Sequence, residues 1–283
     1  MSVVVMSRNR REELLASLGR HRAPVILVDN GSTDGTVEAV RAAYPHIDVI
    51  PLGRNIGAQA RTFGVRCART PYVAFADDDS WWAPGALRAA ADLLDAHDRL
   101  AVVAARILVG SDEELDPLCA QMARSPLATG PRLPGRRVLG FVACGAVVRV
   151  EPFLAVGGFD AVVRFPGEEE RVALDLTAVG WSIAYCPEVV AHHHPSDARH
   201  GPADRRRAVT RSSLLTALMR LPWPRVRKRV EAAWREPVTR AGVLRALLDT
   251  PAALAARRLL PQSVLTDLDV LDGPTPAGAG GLR

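Results

Sequence analysis

Cysteine is scarce in this chain, and what the cysteines lack is informative. Cys67, Cys119, Cys144 and Cys186 are scattered without a Cys-x-x-Cys pair, which argues against a structural zinc site. Each lies among apolar neighbours, the pattern of buried free thiols in a reducing compartment. Long hydrophobic runs are missing too. None approaches the roughly 20 residues of a bilayer-crossing helix, and the apolar opening Ser2-Val3-Val4-Val5-Met6 is too short for a targeting core before it meets Arg8, Arg10 and Arg11. A soluble, cytoplasmic protein is the expectation. There is no Walker loop and no Gly-x-Gly-x-x-Gly after the first strand-like run, so neither a phosphate-cradling NTPase nor a Rossmann dehydrogenase is supported.

What is present is regular. Over 283 residues, 48% hydrophobic and 24% charged, β-branched runs recur at a near-constant interval: Val3–Val5, Val25–Val28, Ile47–Ile50 and Tyr72–Phe75. Between them apolar residues fall at helical spacing, as at Leu14, Leu15 and Leu18, at Val37, Val40 and Ala43, and at Ala60, Phe63 and Cys67. The alternation predicts an α/β fold with parallel strands, crossover helices and functional loops at the carboxyl ends of the strands. Pro84–Leu94 and Glu168–Val179 read as helices, Leu100–Ala104 as a strand, and Ile183–Tyr185 and Val189–Val190 as two short strands. Ser111–Arg137 reads as an irregular surface connection. The division expected is a main domain over 1–200, a basic helical extension over 201–265 and a disordered tail over 266–283, most Gly/Ala/Pro-rich from Gly273.

Charge is unevenly placed. Of a net +5, the stretch from Arg199 to Arg240 holds twelve Arg or Lys against three acids, Asp204, Glu231 and Glu236. A solvated helical face, a diphosphate contact, attachment to an anionic membrane at the inner surface, or nucleic-acid binding each fit such a stretch. Leu221-Pro222-Trp223-Pro224 running into Arg225–Arg229 could rest on a membrane, a solvated helix being the more common outcome for such a segment.

Three motifs carry chemistry. Asp77-Asp78-Asp79 ends the fourth apolar run, and crowded carboxylates there are tolerable only if a cation neutralises them. Hard ions such as Mg2+ or Mn2+ prefer carboxylate oxygen and share their coordination with substrate phosphates. Val28-Asp29-Asn30-Gly31-Ser32-Thr33-Asp34 follows the second run. Asp29 suits hydrogen bonds to a nucleobase edge, and Thr33 and Asp34 suit capping of the next helix. Arg54-Asn55-Ile56-Gly57, leading into Arg61, suits phosphate or base contact with close backbone approach.

Together with Ser7-Arg8-Asn9-Arg10, Gly157-Gly158-Phe159-Asp160, Gly167-Glu168-Glu169 and Pro187–His194, these motifs resemble, in order and over about residues 1 to 200, those of family-2 glycosyltransferases. The resemblance implies a GT-A type fold, a Rossmann-like mixed sheet flanked by helices. It implies an inverting, metal-dependent transfer from a UDP- or dTDP-linked sugar to the hydroxyl of a glycan, lipid-linked or small-molecule acceptor. It assigns Asp29 and Arg54 to the base, with Ser7, Arg8 and Gly57 beside them. Asp77 goes to the nucleotide, Asp78 to ribose or metal and Asp79 to the metal. Glu169 is implied as general base, with Glu168 as its rival, and one histidine as a metal ligand, His193 favoured over His192. Consecutive strand residues point to opposite sides, so the three adjacent histidines cannot all face one ion. Trp81, Trp82 and Asp160 are expected on the sugar and acceptor side, and Arg211, read as opening a helix, at the diphosphate. Arg171 and Asp175 stand where the family has the opposite charges, a swapped pair one helical turn apart. A nucleotidyltransferase would need a Gly-rich loop where Ser7-Arg8-Asn9-Arg10 stands, and a nucleic-acid-binding protein would use the 199–240 stretch.

Overall fold

The computed structural model describes residues 1–196 and 201–273. The β-branched runs form the strands they predict: β1 (Ser2–Ser7), β2 (Val25–Asp29), β3 (Asp48–Pro51) and β4 (Tyr72–Asp77). They are followed by β5 (Ser80–Trp82), β6 (Leu100–Val109), β7 (Glu114–Leu115), β8 (Arg136–Arg137), β9 (Ala146–Arg149) and β10 (Ser182–His193). Among the described residues these form one mixed sheet in the order β3-β2-β1-β4-β9-β6-β10-β5, with β7 on β6 and β8 on β10. The first four strands pair in parallel, so their carboxyl ends share one edge, with Ser7 beside Asp29 and Met6 beside Asp77.

Helices cover both faces, because strands paired in parallel must bury both sides. Val3, Val5, Leu27 and Ala74 face a layer that includes Leu14, Leu18, Val40 and Leu94 from the helices Arg11–Leu18, Thr36–Ala43 and Ala86–Ala96. Val4, Val28 and Phe75 face the helices Gln59–Cys67, Val150–Ala155 and Glu169–Ala178. The face of Gln59–Cys67 differs from the one its apolar spacing predicts. Phe63 and Cys67 are exposed, whereas Arg61, Thr62, Gly64 and Val65 are buried. The reason is contact distance: a Cβ on Gly64 would lie 2.5 Å from Val4 Cγ1, so the helix axis is drawn onto β1 and Arg61 is carried inward. Cys67 is thereby an exposed thiol, while Cys119, Cys144 and Cys186 are buried as expected.

Two other expectations are corrected. The two short strands are one, because β10 runs on through a bulge at Pro187-Glu188-Val189, which fall between the partners of Ala105 and Arg106 on β6. The Ser111–Arg137 connection holds β7, β8 and a helix, Pro117–Ala123, capped by Asp116.

Downstream, helices Pro202–Arg220, Trp223–Trp234, Pro237–Ala246, Thr250–Ala255 and Gln262–Asp272 build two smaller cores, tied to the main domain through Leu174 and Val163. Residues 266–272, predicted as tail, are helical instead. Leu265 and Leu268 pack into one of these cores, which keeps residues 262–272 helical. Arg199 and residues 274–283 of the predicted tail lie outside the described residues. Much of the basic stretch is internally compensated: Arg206 pairs with Glu236, Arg207 with Asp204, Arg220 with Asp175, Arg225 with Asp269, and Arg229 with Glu170. No helix of the described residues is long and apolar enough to cross a membrane.

Candidate active site

The shared edge of β1, β2 and β4 gathers the first two motifs. Asp29 ends β2 with 2% of its surface exposed; Oδ2 accepts the Ser32 N–H at 3.1 Å, and Oδ1 is buried without a hydrogen-bond partner among the described residues. Such an oxygen costs free energy unless a donor arrives. Asn30 fixes the neighbouring loop, donating to the Gly57 carbonyl at 3.1 Å and accepting the Ile56 N–H at 2.8 Å. Gly31, at φ +81°, lets that loop close in, since a Cβ there would meet the Arg54 backbone at 2.6 Å. Arg54 and Gly57 then line a concavity of about 360 Å3 with Arg164 and Phe165 on its far side. Arg8 is exposed just beyond β1. Asp34 caps, accepting the Thr36 N–H at 3.1 Å.

The acidic cluster sits beside this concave surface. Asp78 accepts the Ser7 hydroxyl at 3.1 Å. Arg10 lies 3.8 Å from Asp78 and 3.9 Å from Asp79. Burial, then the charges of Asp77 and Asp79, push the Asp78 carboxyl up to about 7, against the opposing pull of Arg10 and Ser7. His193 at the end of β10 reaches Asp79 at 3.3 Å. Asp77, Cys144 and His193 each offer a ligand atom, and these atoms lie within 4.8 Å of one another. The carboxylate and imidazole suit a divalent cation, while burial pushes the Cys144 thiol well above its ordinary value and keeps it a neutral neighbour of such a site.

Arg61 links this cluster to the glutamates. Its guanidinium is 1% exposed and reaches Asp77 at 2.5 Å and Glu168 at 2.9 Å. Burial alone would favour discharge, but the two carboxylates overcome this and raise its pKa. Glu168 is locked in the interior: one oxygen holds Arg61, the other has no hydrogen-bond partner among the described residues, and burial with the Glu169 charge pushes its carboxyl up to about 8. Glu169, the first residue of its helix, is more accessible. It accepts the Ala143 N–H at 3.3 Å and lines a second concavity of about 320 Å3 with Phe141, Gly167, Val209 and Ser213. Burial raises its pKa too, partly offset by Arg61.

Five expected site residues have other partners. Trp82 is buried at 4% and donates its indole N–H to the Phe75 carbonyl, a core role forced by alternation along β5. Trp81, on the opposite side, is partly buried and stacks on His192 at 5.5 Å with Arg20 over its ring at 4.1 Å. His192 is thus turned away from the acids that His193 meets, toward Trp81 and Glu113 at 3.2 Å. Asp160 is engaged by the Val162 and Val163 N–H groups and by Arg171 at 2.6 Å. Arg211 lies in the middle of its helix rather than at its start, and braces Asp249 at 2.5 Å and the Val162 carbonyl at 3.2 Å. Arg171 and Asp175 do form the swapped pair, at 2.7 Å. Sequence reasoning missed Arg10 and Cys144 and placed Arg61 on the nucleotide; only spacing from Gly57 hinted at Arg61.

Residues 2–157 match the family profile described as "Glycosyl transferase family 2". An N-acetylglucosaminyl-diphospho-decaprenol L-rhamnosyltransferase of Mycobacterium tuberculosis is 27% identical over 306 residues, covering 93% of this chain and 94% of the relative. Among solved structures, the mannosyltransferase PcManGT from Pyrobaculum calidifontis, in complex with GDP-Man and Mn2+, matches 99% of this chain and 76% of its own at 20% identity and TM-score 0.58. S. aureus TarS 1-349 in complex with UDP-GlcNAc matches 90% of this chain and 83% of its own at 17% identity and TM-score 0.56. The predicted GT-A architecture is thereby established.

Proposed function

The chain belongs to glycosyl transferase family 2, and from that premise we propose that this glycosyltransferase moves a sugar from a UDP- or dTDP-linked donor to the hydroxyl of a lipid-linked diphosphate acceptor, with inversion. The M. tuberculosis relative, named for an N-acetylglucosaminyl-diphospho-decaprenol acceptor and matched along 94% of its length, supports the acceptor class. The observation that carries the reading is the convergence of Asp77, Cys144 and His193 within 4.8 Å, one buried arginine away from the paired glutamates.

Asp29 offers its unpaired oxygen to an N–H of the base, and Arg54 and Gly57 wall the base pocket, with Ser7 and Arg8 at its rim. Asp77, Asp78, Asp79 and His193 would hold Mn2+ or Mg2+, with Cys144 beside them, and the ion would supply positive charge to the departing diphosphate. Glu169 accepts the proton of the acceptor hydroxyl as that oxygen forms its bond to the anomeric carbon, and the bond from that carbon to the diphosphate oxygen breaks with its electron pair leaving on the nucleotide. Attack opposite the leaving group inverts the centre. Glu169 suits this task better than Glu168, because it faces a concavity whereas Glu168 is 1% exposed and held by Arg61. Arg61 and Glu168 hold the two halves of the site in register.

A thermal-shift series with UDP, dTDP and GDP, each with and without Mn2+, tests the reading. A cognate nucleotide at a hundredfold excess over its Kd adds about 2.7 kcal/mol, and the gain is expected only when cation and nucleotide are both present. Equal stability under every condition would overturn it.

A further inference from the structure

Helices Pro237–Ala246 and Thr250–Ala255, with the tight turn Leu247–Asp249 between them, form one nearly unbroken ridge. Its inward side is seated on helix Pro202–Arg220: Val243, Ala246 and Ala253 are buried with Leu214, Leu215 and Met219, and a Cβ on Gly242 would come within 2.6 Å of the Arg207 carbonyl. Its outward side is apolar yet open. Leu248 is 85% exposed, Leu247 61%, Leu244 52% and Leu254 40%. A cluster of bare leucines of this kind marks a contact surface rather than an ordinary solvated helix.

The charge around the ridge selects its partner. From 237 to 261 the charged residues are Arg240, Arg245, Arg257 and Arg258 against Asp249 alone. Asp249 is spent inward, 2.5 Å from Arg211 and 3.9 Å from Arg164. The preceding helix, whose sequence suits either a solvated face or membrane contact, is different. Arg225 meets Asp269, Arg227 meets Glu231 and Arg229 meets Glu170, and Trp223, though 57% exposed, has Arg257 over its ring at 4.4 Å. A second copy meeting it ridge to ridge would bring the same positive sign and be repelled, whereas an anionic bilayer complements both its charge and its leucines.

We propose that this ridge is a membrane-docking face, its leucines set into the headgroup boundary of an anionic leaflet with Arg240 and Arg245 at the phosphates. Position gives the contact a purpose, on the reading above that the acceptor is lipid-linked. Asp249 ties the ridge to Arg164, which walls the nucleotide concavity, and helix Pro202–Arg220 supplies Val209 and Ser213 to the concavity of Glu169. Docking there holds both mouths close to where a lipid-borne diphosphate emerges.

Co-sedimentation of the full chain with phosphatidylglycerol or phosphatidylcholine vesicles tests this directly. Wild type is expected to pellet with the anionic vesicles at least about tenfold more strongly than with the neutral ones. Leu247→Asp/Leu248→Asp and, separately, Arg240→Glu/Arg245→Glu are expected to reduce that binding by about tenfold or more, with melting temperature and nucleotide-dependent thermal shift unchanged. The proposal falls if wild type stays in the supernatant, if the leucine variant binds as wild type does, if both lipids bind alike, or if the leucine variant converts a dimer to a monomer on size exclusion. Loss of the nucleotide shift alone would sink the transferase reading and leave the docking face standing; loss of vesicle binding alone would do the reverse.

Discussion

Replacing Arg61 by Met tests the link between the two halves of the site. The guanidinium is 1% exposed and is the near partner of Asp77 at 2.5 Å and Glu168 at 2.9 Å. Methionine fills similar space but leaves two buried carboxylates uncompensated. Removing one partner of a buried ion pair costs about 3–5 kcal/mol. At roughly 2.1 cal/mol/K per residue the unfolding entropy of this chain is about 0.6 kcal/mol/K, so the melting temperature should fall by about 5–8 °C. The deficit should widen with pH. Glu168 is already pushed up to about 8 with Arg61 present, and without it the Glu168 carboxyl holds its proton more tightly still. An acid whose folded pKa exceeds its unfolded value favours folding below the unfolded value and loses that contribution as pH rises through the folded one. Wild type stops losing stability above about pH 8 while the variant goes on losing it, so scanning calorimetry at about pH 7 and pH 9 separates this mechanism from a simple packing defect. Arg61→Met/Glu168→Gln should recover part of the loss, because a neutral amide needs no cation. A single variant melting within about 1 °C of wild type, or a double variant no better than the single, would refute the reasoning.

Glu169→Gln should lower kcat by about 10²–10⁴-fold with nucleotide binding intact, measured by single-turnover transfer and calorimetry; full activity would remove Glu169 from the base role. Because the Asp78 carboxyl is held at about 7 in the metal-free protein, protons compete with Mn2+ below that pH, and isothermal titration should find affinity rising from pH 6 to 8 by up to about tenfold per unit below 7. His21 has both ring nitrogens buried without hydrogen bonds among the described residues, and burial lowers its pKa to about 4. Its folded pKa lies below the unfolded one, so stability is lost as pH falls from 6.5 toward 4; His21→Leu should flatten that limb and gain about 2–3 kcal/mol at pH 4 in denaturant titrations.

What was legible in the sequence was whatever repeats. Val3–Val5, Val25–Val28 and Tyr72–Phe75 announce buried parallel strands because both faces of such strands are apolar, and Asp29 and Asp77–Asp79 are conspicuous because each ends one. Arg61 reads as a phosphate or base contact rather than a buried link, because apolar periodicity keeps a charged residue out of the core; only the contact of Gly64 with Val4 turns that helix. Cys144 looked like any small core residue, since its nearness to Asp77 and His193 depends on strands far apart in the chain. Trp81 and Trp82 are indistinguishable in composition, and the pairing of β5 with β10 alone decides which is core. Residues 266–272 read as tail because the cores that hold Leu265 and Leu268 are assembled from helices whose packing no local pattern records.

The bulge in β10 has a consequence that is arithmetic. Ahead of it, the even-numbered Ala184 and Cys186 face the layer of Leu14 and Leu94; beyond it, the odd-numbered Ala191 does. Three inserted residues, an odd number, have exchanged the sides of everything that follows, and His193 inherits its direction from that exchange. Deleting Glu188 alone would leave an even insertion and swap the parity back, presenting His192 and His194 to the acids and handing His193 to Trp81. Which histidine meets Asp79 is thus chosen by the length of a kink several residues before it.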